Sequence, residues 1–400
     1  MSTETVDPGL ETMWEPWCAD DVFTAYETWR QDRGPVAFDA GTQTWFVVGY
    51  AAAREVLTGD GWSSDPLSSD VVRDGLALQG IDDLPFGGGM LTADPPAHGR
   101  MRDAVRDVFT PNYIDQLAPG IDAIAAGAVD AIPRGEQVEF MTTIARPFPV
   151  AVIAEWLALD PVTTAILWDR ADDLVRLLDG VIGVEPSTGT ISAMSGLVAE
   201  FLPIAASRRI HPGDDLLSLL AGDKDLALDE VVANAILLAV AGHETTAGLL
   251  GNALVRLLSG AEGERLADRI GLVGPTGVDE FIRLDGPPQA VGRTSLREQC
   301  LEGLRLLAGQ RVIVVVAAAN RDPGVFERPS SFDPERRSLP HLGLGFGRHR
   351  CLGGALAKLE ARIALNRILA RDPVLVPGSV QLRRTSLLRA PESVRIEFRR

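Results

Sequence analysis

Residues 343–354 read Gly-Leu-Gly-Phe-Gly-Arg-His-Arg-Cys-Leu-Gly-Gly, and no other stretch constrains this chain as strongly. Glycines at alternate positions let a backbone turn tightly and approach a flat ligand closely. Cys351 sits where this loop runs into an apolar, helix-forming segment. Backbone N–H groups and the positive end of a helix favour thiolate over thiol. Arg348, His349 and Arg350 add positive charge. A thiolate in such a place can be a nucleophile, a redox thiol or an iron ligand. The competing reading is a small buried cysteine beside a glycine turn, and it leaves the alternating glycines and flanking cations unexplained. Cys18 and Cys300 lack this context and read as ordinary structural residues.

The rest of the 400-residue chain must supply a body around that loop. At 46% hydrophobic and 23% charged, the composition is that of a globular protein. Helical periodicity dominates from His98 to about Leu284, with segments near 98–109, 119–132, 149–157, 161–179, 190–207, 229–258 and 277–284. Another helix is expected over about 352–369. Strand character is confined to residues 44–50, 312–316 and short runs in 373–399. Residues 62–93, rich in Ser, Asp and Gly, read as a loop-dominated stretch. The expected fold class is therefore mostly α with small β-sheets (α+β), in a single large domain covering residues 1–400.

Several chemistries fall away. The net charge of −17 opposes nucleic-acid binding through the bulk field. Only Lys224 and Lys358 are lysines among 38 basic residues, so arginine at any one position carries little information. No Walker A loop and no G-x-G-x-x-G occurs. His243-Glu244-Thr245-Thr246 ends in Ala247, so the zinc-protease H-E-x-x-H lacks its last ligand. Three cysteines form no disulfide framework and point to a reducing compartment. The acidic N-terminus has no apolar signal region, so a cytoplasmic location is expected. Val231 to Leu258 is long and apolar but carries His, Glu, Asn and Arg, which fits a buried helix better than a membrane span.

The cysteine loop resembles the haem-binding loop of the cytochrome P450 family, F-x-x-G-x-[HR]-x-C-x-G. Gly347, His349, Cys351 and Gly353 match in register, and Leu344 stands where the family usually has Phe. The resemblance implies that Cys351 is the axial ligand of the iron of haem b (iron protoporphyrin IX), with Gly347 and Gly353 shaping the loop. A Leu at 344 keeps the loop apolar and bears on the tuning of the iron. Upstream, Ala241-Gly242-His243-Glu244-Thr245 is similar to the family's oxygen-activation segment, A-G-x-[DE]-T. A Glu in a buried helix is costly unless solvated or paired, and a Thr hydroxyl can bond back to a helix carbonyl. The bland reading is such a back-bonded Thr with a Glu reaching an Arg. The resemblance instead implies that Glu244 and Thr245 are catalytic, as a proton relay.

Other segments extend the likeness from about Asp94 to the C-terminus. Glu-x-x-Arg occurs six times, at Glu27, Glu262, Glu280, Glu302, Glu392 and Glu397, and i,i+3 ion pairs are common helix decoration. Only Glu280/Arg283 is followed by the family's order of Pro287-Pro288, Arg293, a strand, Asn320-Arg321-Asp322-Pro323 and Phe332 to Arg336. The resemblance makes Glu280, Arg283 and Arg336 a structural charge cluster behind the cysteine loop. Asp94-Pro95-Pro96-Ala97-His98 with Arg102 matches the family's propionate segment, so His98, Arg102, Arg293 and His349 are the implied haem-propionate anchors.

The implied activity is a soluble bacterial-type monooxygenase that uses O2 and two external electrons to hydroxylate or epoxidise a medium-sized, largely apolar small molecule in secondary metabolism. Two alternatives are a haem-thiolate enzyme that couples or rearranges its substrate without oxygen insertion, and a non-catalytic haem sensor. Arg348, Arg350, Lys358, Arg362 and Arg367, against Glu360 alone, form a basic stretch expected to meet an acidic ferredoxin or flavodoxin, itself served by a reductase. A monomer with no nucleic-acid or membrane partner is expected. By resemblance, the substrate pocket draws on residues 62–93, 165–205, 241–246 and 287–293, with Asp172, Asp173 and Asp179 as scattered acids.

Overall fold

The structure is a computed structural model that describes residues 22–78, 88–170, 188–260, 265–336, 340–383 and 388–400. Cys18, Asp172, Asp173 and Asp179 lie outside the described residues. The largest sheet has strands β1 (Val36–Asp39), β2 (Thr44–Val47), β3 (Trp62–Ser63), β4 (Val291–Ser295) and β5 (Arg311–Val314), in the order β1-β2-β5-β4-β3. The β1–β2 turn is held by Asp39, whose carboxylate accepts the N–H groups of Gly41 and Thr42. β2 and β5 run parallel and the other pairings are antiparallel. Arg293 enters the fold on β4, opposite Val312.

The helices that frame the site are α1 (Val22–Arg33), α2 (Tyr50–Thr58), α3 (Asp70–Leu78), α4 (Ala97–Asp103), α5 (Ala118–Asp130), α6 (Pro147–Trp156), α7 (Thr188–Ile210), α8 (Leu228–Leu258), α9 (Pro275–Asp285) and α10 (Gly354–Leu369). α8 is buried nearly all round, which is the signature of a helix inside a large core. Its first half packs in one hydrophobic cluster with α7, and its second half in another with α5, α9 and α10. Both ends are tied. Glu230 accepts the Ala227 N–H at the start and takes a two-pronged bond from Arg100 at 2.6 and 2.7 Å. Near the end, Arg256 pairs with Asp285, and Asn252 donates to the Asp285 carbonyl. Among the described residues, no helix is long and apolar enough to cross a membrane.

The α+β architecture expected from periodicity is what forms, with local corrections. Of the stretch 62–93, residues 79–87 lie outside the described set, and the described part before them is not chiefly loop: it holds β3, a short 3-10 turn at Pro66–Ser68 and helix α3. Val72 and Leu76 lie four apart, a helical spacing, and Leu76 is buried. The strand at 44 stops at Val47, because the Ala-rich Tyr50–Thr58 segment turns helical. Likewise β5 ends at Val314 and gives way to a short helix, Val316–Ala319.

Of the Glu-x-x-Arg pairs, only Glu280/Arg283 is sealed from solvent at both side chains among the described pairs. Two parallel bonds of 2.7 Å join them. Arg283 also donates to the carbonyls of Asn320 and Pro329, while Glu280 accepts from Arg336 and from the Asp333 N–H. Asn320 in turn accepts the Leu342 N–H at 2.6 Å, at the entrance to the cysteine loop. A buried ion pair is a strong brace only while every partner is present. Arg283→Met should therefore destabilise the fold by about 3–5 kcal/mol, since it leaves the Glu280 carboxylate buried and under-paired. Chemical denaturation checks this; a loss below about 1 kcal/mol, the value of an exposed pair, would contradict it.

Candidate active site

The cysteine loop adopts the tight turn its glycines allow. Gly345 and Gly347 have φ of 68° and 72°, in the left-handed region that a side chain disfavours. A Cβ on Gly347 would lie 2.4 Å from the Leu57 carbonyl of α2. Gly347 is thus a packing glycine at the back of the loop. The turn folds the chain so that the Cys351 N–H donates to the Leu344 carbonyl at 2.7 Å. Leu344 packs over the start of α10, 3.1 Å from where a Cβ on Gly354 would lie.

Cys351 opens into a cavity with about 850 Å³ of empty space, part of it open to solvent. One wall is α8, through Ala241, Gly242, Thr245 and Thr246; the opposite wall is the loop and α10, through Cys351, Gly353 and Glu360. Met90, Phe109, Ile153 and Leu237 make the remaining lining mainly apolar. Of the segments expected around the pocket, 62–93 and 241–246 contribute. Neither 287–293 nor the described part of 165–205 reaches this lining, and residues 171–187 lie outside the described set. Phe109, Ile153 and Leu237 come from helices whose apolar residues read as core from sequence alone.

Cationic and imidazole groups crowd one edge of the cavity. His98 on α4 and His349 on the loop face each other with ring centroids 4.0 Å apart. The Nε2 of each is buried without a hydrogen-bond partner. Burial first, and then neighbouring arginines, hold both below the ordinary histidine range, with His349 pushed down to about 2. Arg102 lines the cavity and donates to the Arg350 carbonyl at 2.7 Å. Arg293 lies just behind and is not part of the lining; burial pushes it down to about 10, partly offset by Asp94. Asp94 already accepts from the Ser63 hydroxyl and the Ser64 N–H. Positive charge therefore outweighs negative here, and orphaned buried groups cost about 1–3 kcal/mol each. An anionic group at this edge would relieve both.

The thiol itself behaves differently from the sequence expectation. Burial raises the Cys351 pKa, and the Gly353 N–H, Arg102 and Arg350 only partly offset this. The protein alone thus does not make the thiolate; a metal cation at sulfur would. Gly353 adds a steric observation. A Cβ there meets no atom within 4 Å and would project into open space. A flat macrocycle with two carboxylates at the His98–His349 edge and a metal over Cys351 fits these residues.

On α8, Thr245 and Thr246 line the cavity and back-bond to the Ala241 and Gly242 carbonyls at 2.7 and 3.0 Å. Glu244 is not in the lining. It points away, to Arg383, at 2.9 Å. Arg383 continues to Glu392, and Glu392 to Arg146, forming a charged string from the back of α8 outward. Arg383 was not foreseen, since its 139-residue separation from Glu244 leaves no local signal. Glu360 was read as a surface counter-charge; it is instead buried in the cavity wall, with Oε2 unpartnered and its pKa pushed well up by burial. Its spacing from Gly353 and Leu356 on one helix face was the available clue.

The basic stretch is also corrected. Arg348 pairs with Asp60, Lys358 with Asp279, and Arg367 with Asp122 and Asp130. Among the described residues, Arg350 and Arg362 are the members of the stretch left without a carboxylate partner.

A family model described as Cytochrome P450 matches residues 276–397. The cytochrome P450 monooxygenase PikC of Streptomyces venezuelae is 34% identical, over 96% of this chain and 92% of its own. The 6-deoxyerythronolide B hydroxylase of Saccharopolyspora erythraea is 32% identical over 89% of this chain and 90% of its own. The ligand-free crystal structure of Mycobacterium smegmatis CYP164A2 superposes with a TM-score of 0.85 at 28% identity, covering 97% of this chain and 99% of that one.

The raised thiol pKa sets an expectation for the protein without cofactor. Alkylation of Cys351 by iodoacetamide, mapped by mass spectrometry, should gain rate only above the ordinary thiol range. Loading with haem should protect the residue. Rapid alkylation of Cys351 near neutral pH would overturn the burial argument.

Proposed function

The chain belongs to the cytochrome P450 family of monooxygenases, and on that footing we propose that it inserts one oxygen atom from O2 into a medium-sized, largely apolar small molecule. The observation that carries the reading is one cavity with Cys351 on one wall and the Thr245–Thr246 hydroxyls on the other. Cys351 would ligate the iron of haem b, and His98, Arg102, Arg293 and His349 would hold its propionates. Bound haem supplies the oxygen-activating iron; Cys thiolate ligation is the haem arrangement that favours O–O cleavage.

The remaining work falls to this chain's own residues. The apolar walls position the substrate and exclude water, which strengthens each polar contact inside. Thr245 Oγ1 can turn from the Ala241 carbonyl toward the cavity and pass a proton inward. Glu244 would reload it, and the 2.9 Å bond from Arg383 fixes where that carboxylate sits. The Arg383–Glu392–Arg146 string supplies the outward end of the route.

Two electrons would arrive from an acidic ferredoxin or flavodoxin. With three of the five basic residues paired internally, the field of this face is weaker than the sequence count implies, and Arg350 and Arg362 would carry the attraction. A medium-sized secondary metabolite is the proposed substrate class, in line with the hydroxylase relative. Coupling without oxygen insertion is the alternative, and product mass separates the two.

Thr245→Ala should lower product formed per O2 consumed by roughly tenfold to 100-fold, with haem content and the carbon monoxide spectrum unchanged. Unaltered coupling in that variant, or a loss seen only in Thr246→Ala, would remove Thr245 from the relay. In the same assay Arg383→Gln should keep the spectrum but lower coupling several-fold, because Glu244 would lose the partner that fixes it. Coupling identical to wild type would remove Arg383 from the route.

A further inference from the structure

His341 opens the cysteine loop, ten residues before the thiol, and has no part in the cavity. Its side chain is nearly buried and touches two different elements. Nε2 lies 3.3 Å from Oδ1 of Asp279 on α9. Nδ1 lies 3.3 Å from the Gly343 backbone nitrogen. The same Asp279 oxygen takes a 2.8 Å bond from Lys358 on α10. Three separate pieces of the fold therefore meet at the Asp279 carboxylate: α9, which carries it, α10 through Lys358, and the loop through His341.

The donor and acceptor roles are forced. The Gly343 N–H can only donate, so Nδ1 must offer its lone pair. The ring proton must then sit on Nε2, facing the Asp279 carboxylate. An imidazolium would place an N–H on Nδ1 against the Gly343 N–H, donor to donor, and the contact would be lost. Gly343 adjoins Leu344, whose carbonyl receives the Cys351 N–H. A displacement at Gly343 is thus one residue from the bond that seats the cysteine.

From this geometry we propose that His341 is a positioning residue for the cysteine loop, its Nδ1 accepting the Gly343 N–H, and that Asp279, fixed in place by Lys358, orients the ring for that contact. The other charges near this point are committed elsewhere. Glu280, beside Asp279, is bound by Arg283 and Arg336. Asp279 is held below its ordinary range: burial opposes this, but His341 and Lys358 outweigh it. Lys358 is one of two lysines in the whole chain, and it occupies the one place where an ammonium meets this carboxylate. The inference rests on the reading that Cys351 ligates haem iron.

The test uses the reduced carbon monoxide adduct of the holoenzyme. Wild type should show the red-shifted thiolate band. His341→Ala should lose several-fold of that band, because the Gly343 N–H loses its acceptor. His341→Asn, whose Oδ1 stands in for Nδ1, should restore the band. Lys358→Gln frees the Asp279 carboxylate that orients the ring, so it should lose part of the band. If His341→Ala takes up no haem, His341→Asn and Lys358→Gln decide. A wild-type level of band in His341→Ala, no recovery in His341→Asn, or a wild-type level of band in Lys358→Gln would overturn the proposal. No thiolate band in wild type at any pH would instead sink the haem-ligand reading beneath it, and the proposal with it.

Discussion

Excess positive charge held out of water is the constraint on which this molecule is organised. His98 and His349 stack with unpartnered nitrogens, Arg293 is buried behind them, and Arg102 completes the edge. Such an arrangement costs free energy in the protein by itself. It persists because α4, β4 and the cysteine loop are each anchored elsewhere: α4 by Arg100 on Glu230, β4 by the sheet, the loop by Asn320 and His341. The same logic holds at Cys351, whose thiol burial pushes up and a cation at sulfur would bring down. The site is complementary to a group that is anionic at its edge and cationic at its centre, and the fold supplies the rigidity to wait for it.

α8 divides the chemistry by direction. Consecutive residues on a helix point about 100° apart, so this wall turns Thr245 and Thr246 to the cavity and leaves Glu244 outside the lining. Glu244 turns to Arg383 and the charged string behind. A hydroxyl inside and an acid outside are thereby neighbours on one helix. Glu360, sealed in the opposite wall, is an acid that burial alone pushes well above the ordinary carboxylate range.

Much of this was legible beforehand. The cysteine loop could be read because its requirements are local: left-handed glycines, a helix start and flanking cations lie within a dozen residues. The helices at 229–258 and 277–284 could be read because an apolar face repeats with helical period. The α3 helix was obscured by the turn-rich composition around it. The basic stretch was misjudged because a charge count along the chain does not register Asp60, Asp122, Asp130 and Asp279 arriving from distant segments. Glu360 was misplaced for the same reason, since its burial is a property of the neighbours and not of its own helix.

The sequence by itself determined the helical body, the cysteine turn and the residue types around it, because backbone conformation and amphipathic period are written in neighbours a few positions apart. The tertiary structure alone decided that Glu244 answers to Arg383 and that His341 ties α9 to the cysteine loop. It also decided that burial pushes the Cys351 thiol up. Each of these depends on desolvation and on partners tens to hundreds of residues away. The electrostatic free energy of a charge is set by what surrounds it in space, a quantity no local pattern encodes.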